Sequence, residues 1–358
     1  MKAALIGLGQ AGGRVAEAIR DADRQAGYDG VRGVLAVNTA SADLKGLDVE
    51  TMLIGEDRVS GHGVGGDNQL GASIMQADVG EVLAGLDGIV QPETEAILLV
   101  AGLGGGTGSG GAPVLTKELR RLYDKPVYGL GILPGRDEGA IYLQNAGQSV
   151  QTVAREADSL ILLENDAWRQ TGESVAGSFE AINDRIARRI GLVLAAGEAV
   201  EGVGESVVDS SEVINTLKRG SMAAIGYAAA DASPDPAENV NVITSTARQA
   251  LLTDMSVPET TTAESALVIV AGDPDRLSRK GVERARKWVE DETGSMLVRG
   301  GDFPLSSERI AVVVVLSGIA GSPRLQSFMD RAREAAEEVD TGPDRKRAFE
   351  TDELEDLF

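Results

Sequence analysis

The feature that most constrains the fold is a run of glycines that directly follows an apolar segment. Residues 102–111 read GLGGGTGSGG, with seven glycines in ten residues, and they follow the apolar run Ala96 to Ala101. An apolar run of this length predicts a buried strand, and the amphipathic stretch from Gly111 to Tyr123 predicts a helix. A glycine loop between a strand and a helix exposes backbone N–H groups at the positive end of the helix dipole, which favours phosphate binding. Because a simple turn does not require so many glycines, whose ordering costs conformational entropy, the run predicts a ligand site.

A second glycine loop lies near the N-terminus. Residues 7–13 read GLGQAGG and separate the apolar run Ala3 to Ile6 from the amphipathic stretch Gly13 to Ala26. Taken alone, this loop matches the dinucleotide fingerprint G-x-G-x-x-G. A dinucleotide site also needs Asp or Glu at the end of the second strand, where this chain has Asn38 and Thr39. The glycines of residues 102–111 lack the following Lys of the arrangement G-x-x-x-x-G-K-[ST], which excludes a P-loop on this motif.

Short apolar runs alternate with amphipathic segments through the first 200 residues. This alternation predicts parallel strands joined by crossover helices, in a sheet that helices cover on both faces. The other predicted strands are Gly33 to Val37, Val127 to Ile132 and Ser159 to Leu163, and the other helices are Asn68 to Leu86 and Ile141 to Glu156. The carboxyl ends of neighbouring parallel strands share one edge, so both glycine loops are expected to converge on one polyphosphate. The hydroxyls of Thr107 and Ser109 are further candidate donors.

The second half of the chain has a different pattern. A single apolar stripe from Phe179 to Ala199 predicts a long helix that joins the two halves, and a Gly-rich break at Gly197 to Gly204 follows it. From Val242 onward, mixed elements predict a smaller α+β domain. Its predicted helices are 242–252, 274–290 and 323–338, and its predicted strands are 266–271, 295–299 and 310–316.

The composition excludes several classes of function. The formal net charge is −22 at pH 7, which argues against a nucleic-acid partner. The chain has no Cys and a single His, His62, so disulfides, Cys-zinc sites and thiol nucleophiles are excluded. The longest apolar stretch, Ile310 to Leu316, is far shorter than the roughly 18 residues of a membrane span, and no secretory pattern is present. We therefore expect a cytoplasmic protein, and 26 Arg against 8 Lys at this charge favours a halophilic source.

The glycine-rich run also resembles a family signature. Residues 104–110, GGGTGSG, resemble the signature of the tubulin and FtsZ superfamily. Further similar segments are GLGQAGGRV from Gly7, VNTASADL from Val37, GHGVGGDNQLG from Gly61, PVYGLGILPGRDEG from Pro126, ENDAWRQTGES from Glu164 and VVDSSEVINTL from Val207. The combination is most similar to CetZ proteins, the tubulin-like and FtsZ-like proteins of haloarchaea, and extends from residue 1 to about 335.

The resemblance implies a fold, an activity and a form of assembly. The implied fold is α/β, with a Rossmann-like parallel-sheet GTPase domain, a long central helix and a smaller α+β C-terminal domain, as in tubulin and FtsZ. The implied division is a GTP-binding domain at 1–178, the helix at 179–200, a subunit-contact loop with the C-terminal domain at 201–338 and an acidic mobile tail at 339–358. The implied protein is a cytoskeletal GTPase that polymerises head to tail into protofilaments, hydrolyses GTP to GDP and phosphate at the subunit interface, and controls cell shape.

The nucleotide contacts of the family fall on matching positions of this sequence. The resemblance implies phosphate contacts for Gln10, Ala11, Gly12, Gly13 and Arg14 in the first loop and for Gly105, Gly106, Thr107 and Gly108 in the second. It also implies that Gly65 and Gly66 lie near the terminal phosphate, Asn38 beside the nucleotide, Glu138 at the ribose, and Asn165 and Asn183 at the guanine. Carboxylates and amides suit the ribose and the base, although a solvated loop acid and a polar helix position are the alternatives for Glu138 and Asn183. Magnesium is implied through phosphate oxygens and water, without a protein ligand.

Two acidic residues further along the chain admit two interpretations. Asp209 and Glu212 precede the apolar pair Val213 and Ile214 in a D-x-x-E pattern, which by itself predicts a capping box at a helix start. In the family, the matching loop enters the nucleotide site of the next subunit, where acidic groups orient the attacking water. The two roles are compatible, because residues three apart at a helix start can share one face.

Other functions and partners stay open at this stage. One alternative is a nucleotide-dependent scaffold with little or no hydrolysis, which Val207 favours because FtsZ typically has Asn there. Another is an FtsZ-like division protein, and a third is a Rossmann oxidoreductase, against which the second glycine loop and Asn38 argue. The expected partner is the chain itself. The tail also offers apolar residues among acids to a protein partner, with plain disorder as the alternative.

Overall fold

The computed structural model describes residues 1–168, 175–196, 207–319 and 322–341. The strands are β1 (Ala3–Leu8), β2 (Val31–Asn38), β3 (Glu50–Leu53), β4 (Ala96–Gly102), β5 (Val127–Leu133), β6 (Ser159–Glu164), β7 (Met222–Asp231), β8 (Ser265–Gly272), β9 (Leu297–Pro304) and β10 (Arg309–Ser317). The helices are α1 (Gly9–Ala26), α2 (Ser41–Leu44), α3 (Glu56–Val59), α4 (Asn68–Ala84), α5 (Gly106–Leu122), α6 (Ala140–Glu156), α7 (Val175–Ala196), α8 (Ser210–Leu217), α9 (Asn239–Leu252), α10 (Arg279–Thr293) and α11 (Pro323–Thr341), with a 3-10 turn at Asn165–Ala167. The predicted Gly-rich break at 197–204 and the tail beyond residue 341 lie outside the described residues.

The described strands form one ten-stranded sheet in the order β3-β2-β1-β4-β5-β6-β7-β10-β8-β9. Neighbouring strands run parallel from β3 to β7. Strands β1, β5 and β6 are buried along their whole length, since their apolar side chains face helices on both sides. One hydrophobic core lies on each face, with Ile6 in one and Leu5 in the other. The predicted parallel sheet covered by helices is confirmed.

The two glycine loops leave the sheet at the same edge. Strand β1 pairs with β4 in parallel, with Leu8 beside Ala101. Helix α1 begins directly after β1, and α5 begins a few residues after β4. Both helix N-termini therefore lie at the carboxyl ends of two neighbouring strands, where their dipoles favour an anion.

Helix α5 begins earlier than the sequence predicted. It starts at Gly106 rather than at Gly111, so six of the ten residues of the glycine run are helical. A Cβ on Gly110 would lie 2.0 Å from the carbonyl oxygen of Asn68, and a Cβ on Gly71 would lie 2.3 Å from that of Gly106. These glycines let α4 and α5 pack closely together. The interpretation of the whole run as a ligand loop was therefore too broad.

Strand β7 was not predicted, and it joins the two halves of the molecule. Its sequence, MAAIGYAAAD, is dominated by Ala, which has a low preference for strands. Small residues are needed because a Cβ on Gly226 would lie 2.1 Å from the carbonyl oxygen of Ala250 in α9. Strand β7 pairs with β10 along its length, whereas the described pairing with β6 consists of residues 160–161 opposite 222–223. The C-terminal elements thus extend the N-terminal sheet.

The long central helix is confirmed as α7. Its apolar stripe includes Ile182, Ile186 and Ile190, which are buried in the core that α7 shares with α1. Within the described ranges, no helix is both long enough and apolar enough to cross a membrane.

Candidate nucleotide-binding site

Two cavities with shared walls lie beside the N-terminus of α1, and the smaller one opens at the carboxyl edge of β1 and β4, where Leu8 and Gly102 line it. The smaller has a volume of about 580 Å³, and the larger has a volume of about 1120 Å³. Both are lined by Gln10, Ala11, Asn165, Phe179 and Ile182, so the larger continues from the smaller. The smaller volume lies within the range of ordinary small-molecule sites, and the larger slightly exceeds it.

The smaller cavity is built from loops rich in backbone donors. It is lined by predicted site residues from the first loop, from the loop of residues 60–67, here called the third loop, and from the second glycine loop. A Cβ on Gly105 would meet nothing within 4 Å, so this glycine leaves open space next to the N-terminus of α5. Among the described residues that line the cavity there is no Lys or Arg, whereas Asp43, Asp137 and Glu138 contribute carboxylates. An anion here depends on backbone N–H groups and helix dipoles.

Thr107 lines the smaller cavity, but Ser109 lines neither cavity. The hydroxyl of Thr107 shares a hydrogen bond of 2.7 Å with the hydroxyl of Thr39. Either hydroxyl can be the donor in this contact, which holds the Thr107 side chain at the wall of the cavity. Ser109 is 3% exposed and lies within α5. The expectation that its hydroxyl also reaches the phosphates has no support in this geometry.

Gly12 and Gly13 also lie outside the walls of both cavities. A Cβ on Gly12 would lie 2.2 Å from the carbonyl oxygen of Val100, and a Cβ on Gly13 would lie 3.0 Å from the side chain of Leu47. The absent side chain of Gly12 lets α1 pack closely on β4, and that of Gly13 leaves room for Leu47. This is the packing role that the third glycine of a G-x-G-x-x-G loop plays, and a phosphate contact through their backbone stays a prediction.

The third loop lies across the smaller cavity from the first. Gly65 and Gly66 both line it and have positive φ angles of 57° and 89°, which other residues rarely adopt. The side-chain amide of Asn145 donates to the carbonyl oxygens of Gly66 at 2.8 Å and Gly104 at 2.9 Å. Sequence reasoning missed Asn145, although a polar residue on the otherwise buried side of an amphipathic helix is a usable signal.

The junction of the two cavities suits a sugar and a base. Glu138 lines the smaller cavity, and one of its carboxylate oxygens accepts from the backbone N–H of Gly135 at 2.7 Å. Asn165 lines both cavities, and Asn183 and Arg14 line the larger one. The ring of Phe179, which the sequence reasoning missed, lines both and is 52% exposed. An exposed aromatic ring beside two amides could stack on a base.

Asn38 has a structural role at the wall of the smaller cavity. Its side-chain oxygen accepts from the backbone N–H groups of Thr39 and Ala40, and its amide donates to Asp43 at 3.1 Å. Asn38 is 3% exposed. It therefore shapes the loop after β2, and a direct contact with the nucleotide stays a prediction.

Asp209 and Glu212 lie at the opposite edge of the sheet. Asp209 caps α8 by accepting from the backbone N–H of Glu212 at 2.9 Å, as the sequence predicted. The next residue, Ser210, donates to Glu95 at 2.8 Å, and Glu95 also accepts from the backbone N–H of Lys2. Lys2 and Glu95 directly precede β1 and β4, whose carboxyl ends form the cavity. A strand of seven residues spans about 20 Å, so the acids of one chain do not reach its own cavity.

The two acids differ in their electrostatic surroundings. Hydrogen bonds from the Ser211 hydroxyl and the backbone lower the pKa of Asp209. Burial, followed by the nearby Asp209 carboxylate, raises the pKa of Glu212. The shared surroundings therefore shift the two carboxyl pKa values in opposite directions.

Comparison with known proteins agrees with this architecture. The model of the tubulin/FtsZ family GTPase domain matches residues 2–173, and the model of the tubulin-like CetZ C-terminal domain matches residues 172–334. The tubulin-like protein CetZ2 of Haloferax volcanii is 60% identical over 360 residues and covers all of both chains. CetZ1 of the same organism is 48% identical and covers 95% of this chain and 94% of its own.

Solved structures show the same fold. A GTPγS-bound protofilament of CetZ2 from Haloferax volcanii superposes with a TM-score of 0.92 and covers 95% of this chain and 100% of that chain. A GDP-bound monomer of CetZ1 has a TM-score of 0.87, at 49% identity and 94% and 100% coverage. An FtsZ dimer of M. jannaschii is 20% identical, has a TM-score of 0.72 and covers 89% of each chain, which indicates the fold alone. The sequence resemblance is confirmed, and the chain belongs to the tubulin-like CetZ proteins of the tubulin/FtsZ family.

Proposed function

We propose that this chain is a cytoskeletal GTPase that polymerises head to tail and hydrolyses GTP at the contact between subunits. The observation that carries the proposal is the distance between two sets of residues. The cavity lies at the carboxyl edge of the sheet, and Asp209 and Glu212 lie at its amino edge. Stacking the amino edge of one copy on the carboxyl edge of the next would bring these acids to the neighbour's cavity. Such a contact is heterologous and does not close, so it produces a filament.

GTP is the ligand that fits the two cavities and the family. In the relatives described above, the CetZ2 protofilament is bound to GTPγS and the CetZ1 monomer to GDP. In this chain the phosphates would lie at the N-termini of α1 and α5, near Thr107 and Gly105. The ribose would lie at Glu138, and the guanine would lie between Asn165 and Asn183. Phe179 would then cover the face of the base.

The proposal includes magnesium because the smaller cavity supplies few positive charges to balance the phosphates. Its described walls contain no Lys or Arg, and no cluster of acidic or His side chains within the described ranges could hold a metal. Mg²⁺ would therefore be held by phosphate oxygens and water. We expect chelation with EDTA to weaken GTP binding by about tenfold or more, measured by calorimetry at constant ionic strength. An affinity that does not change on chelation would argue against a metal in the complex.

Hydrolysis would require two subunits. Phosphoryl transfer depends mainly on positioning and on charge stabilisation. One chain supplies the phosphate cradle, and the acids that would orient the attacking water come from its neighbour. We therefore expect phosphate release per molecule to rise with protein concentration, together with light scattering, at high salt with GTP and Mg²⁺. Specific activity that stays flat while filaments form would place the catalytic groups in one subunit. Filaments without hydrolysis would favour the scaffold alternative.

A mixing experiment tests the shared site directly. In the variant Gly105→Leu, the added side chain would occupy the cavity while Glu212 stays intact. In the variant Glu212→Gln, the cavity stays intact while the acid is lost. Each variant alone should be nearly inactive, and the mixture should hydrolyse GTP because the first variant supplies Glu212 to the nucleotide of the second. Sedimentation shows whether both variants enter one polymer, and joint sedimentation without recovered hydrolysis would contradict a shared site.

At the level of the cell we propose a role in shape control, with division as the alternative. The basis is the family membership. The predicted tail, 339–358, is also proposed as a binding segment for another protein. Removing residues 342–358 spares α11, so it tests the tail alone. Altered filament localisation with unchanged polymerisation in vitro would support a partner, and unchanged localisation would favour plain disorder.

A further inference from the structure

Helix α6 connects three elements that surround the smaller cavity. Asn145 contacts the third loop (residues 60–67) and Gly104 through its amide, as described above. One turn later, the hydroxyl of Ser149 donates to the carbonyl oxygen of Ser109 in α5 at 3.1 Å. Gln148 accepts from Asn68 at the start of α4 at 3.2 Å. Of these contacts, the one made by Asn145 bears directly on a loop of the cavity wall.

The position of Gly66 depends on its backbone contacts. It has no side chain, and a Cβ at this position would meet nothing within 4 Å. Its carbonyl oxygen accepts from Asn145, which is 3% exposed. The same NH₂ group donates its second hydrogen bond to Gly104, in the turn that precedes α5. A single amide therefore bridges the third loop and the second glycine loop, which also pack directly on each other, since a Cβ on Gly106 would lie 2.9 Å from the backbone of Asp67.

The chemistry of this contact requires an amide. Both acceptors are carbonyl oxygens, so the bridging group must supply two N–H donors, which Asn does. Asp has the same size but carries no donor, and Leu has a similar size without polar atoms. Loss of these donors would leave the carbonyl oxygens of Gly66 and Gly104 without this partner, in a region that little water enters. The third loop would then be held less firmly.

We propose that Asn145 is a positioning residue that lets the site distinguish a nucleoside triphosphate from a diphosphate. This inference rests on the proposed function, in which the terminal phosphate lies at Gly65 and Gly66. A diphosphate contacts the helix N-termini but ends before the third loop. Displacement of Gly66 relative to Gly104 therefore weakens triphosphate binding and leaves diphosphate binding nearly unchanged.

The test measures the affinities for GTPγS and GDP in the full chain with Mg²⁺. The wild-type chain is compared with Asn145→Leu and with Asn145→Asp, and thermal unfolding checks each variant. We expect both variants to lose about tenfold in GTPγS affinity, with GDP affinity changed by less than about twofold. The matched control is Ser149→Ala, which removes a hydrogen bond from the same buried face of α6 without touching the third loop. It should leave the ratio of the two affinities unchanged.

Each outcome separates the possible roles of Asn145. A lower unfolding temperature with an unchanged affinity ratio in both variants would make Asn145 a merely structural residue and overturn the inference. The same fall in affinity for both nucleotides, or an equal change of the ratio in Ser149→Ala, would also overturn it. If the Leu variant does not fold, the Asp variant of equal size decides the question. Failure of the wild-type chain to bind GTPγS would instead contradict the proposed function.

Discussion

Within residues 102–111, Gly105 is the glycine whose missing side chain leaves open space beside the smaller cavity. Its φ of −74° and ψ of 156° are accessible to any residue, so backbone strain does not explain glycine at this position. By contrast, a Cβ on Gly108 would lie 2.4 Å from the carbonyl oxygen of Gly102. Glycines in one signature therefore serve two purposes, ligand access and backbone packing.

We expect Gly105→Leu to abolish nucleotide binding with little effect on stability. The new side chain would fill the space of the phosphates, and the loss of glycine at the start of α5 costs about 1 kcal/mol or less. Calorimetry with GDP measures the binding, and thermal unfolding measures the stability. The control is Gly80→Leu, at an exposed position of α4 with equally open surroundings, which should bind like the wild-type chain. Binding that survives in Gly105→Leu would argue against this cavity as the phosphate site.

Asp209 combines a helix cap with a proposed catalytic charge, and two substitutions separate them. Asn is as good a cap as Asp, whereas Ala is not. Asp209→Asn should keep the stability of the chain and lose GTP hydrolysis in the polymer. Asp209→Ala should lose hydrolysis and about 1 kcal/mol of unfolding free energy, measured by denaturant titration. If Asp209→Asn keeps full GTP hydrolysis, the negative charge is not needed for catalysis, and Asp209 acts as a helix cap alone.

The lowered pKa of Asp209 also implies a pH dependence. Because this pKa lies below the unfolded value of about 3.9, the ionised cap stabilises the folded chain above that pH. The contribution is lost as the pH falls through the folded pKa. The difference in stability between the wild-type chain and Asp209→Asn should therefore change at acid pH and stay constant near neutral pH.

Among the elements, α7 is tied to both halves of the molecule by Arg189. The guanidinium is 2% exposed and lies 4.5 Å from the ring centroid of Trp168 and 5.6 Å from that of Tyr227. It also pairs with Asp254 at 2.5 Å. Burial lowers its pKa to about 10, so it stays charged at neutral pH. Trp168 follows the 3-10 turn whose Asn165 lines both cavities, and Asp254 follows α9 in the C-terminal half.

Arg189→Met should destabilise the chain by about 2 kcal/mol, because it leaves Asp254 without its partner. It should also change the fluorescence of Trp168. Arg248→Met is the control, since that exposed guanidinium lies 5.2 Å from the ring of the other Trp, Trp288. The control should cost less than about 1 kcal/mol by thermal unfolding. Equal effects of the two substitutions would argue against a special role for the buried contact.

Elements with strong apolar patterns were predicted from the sequence, and those set by tertiary contacts were not. The strands before the glycine loops and the long helix α7 follow from runs of Ala, Val, Ile and Leu and from a 3.6-residue period. Strand β7 was missed because contact with α9 requires Ala and Gly, which do not indicate a strand. The start of α5 was missed because close packing against α4 outweighs the low helix preference of glycine. Asn145 and Phe179 were missed because their partners are distant in sequence.

At the scale of the whole molecule, the negative charge opposes assembly. A formal charge of −22 on each subunit makes neighbouring copies repel one another. Salt screens this repulsion over distances of about 10 Å or less. We expect the critical concentration for polymerisation to fall several-fold between roughly 0.2 M and 2 M KCl, measured by sedimentation with GTPγS. A critical concentration that rises with salt would indicate that opposite charges hold the subunits together.

The short pairing between β6 and β7 has a mechanical consequence. Within each half of the sheet, neighbouring strands pair over longer ladders. The described ladder between the halves is short and consists of residues 160–161 opposite 222–223. Side-chain packing reinforces this short ladder, because both hydrophobic cores continue across it, α11 packs against α6, and Arg189 contacts Trp168 and Asp254. We expect the β6–β7 junction to deform more easily than the longer ladders on either side of it. We expect a polymer of this chain to bend through deformation within its subunits. The fold of the single chain would then contribute to the stiffness of the filament.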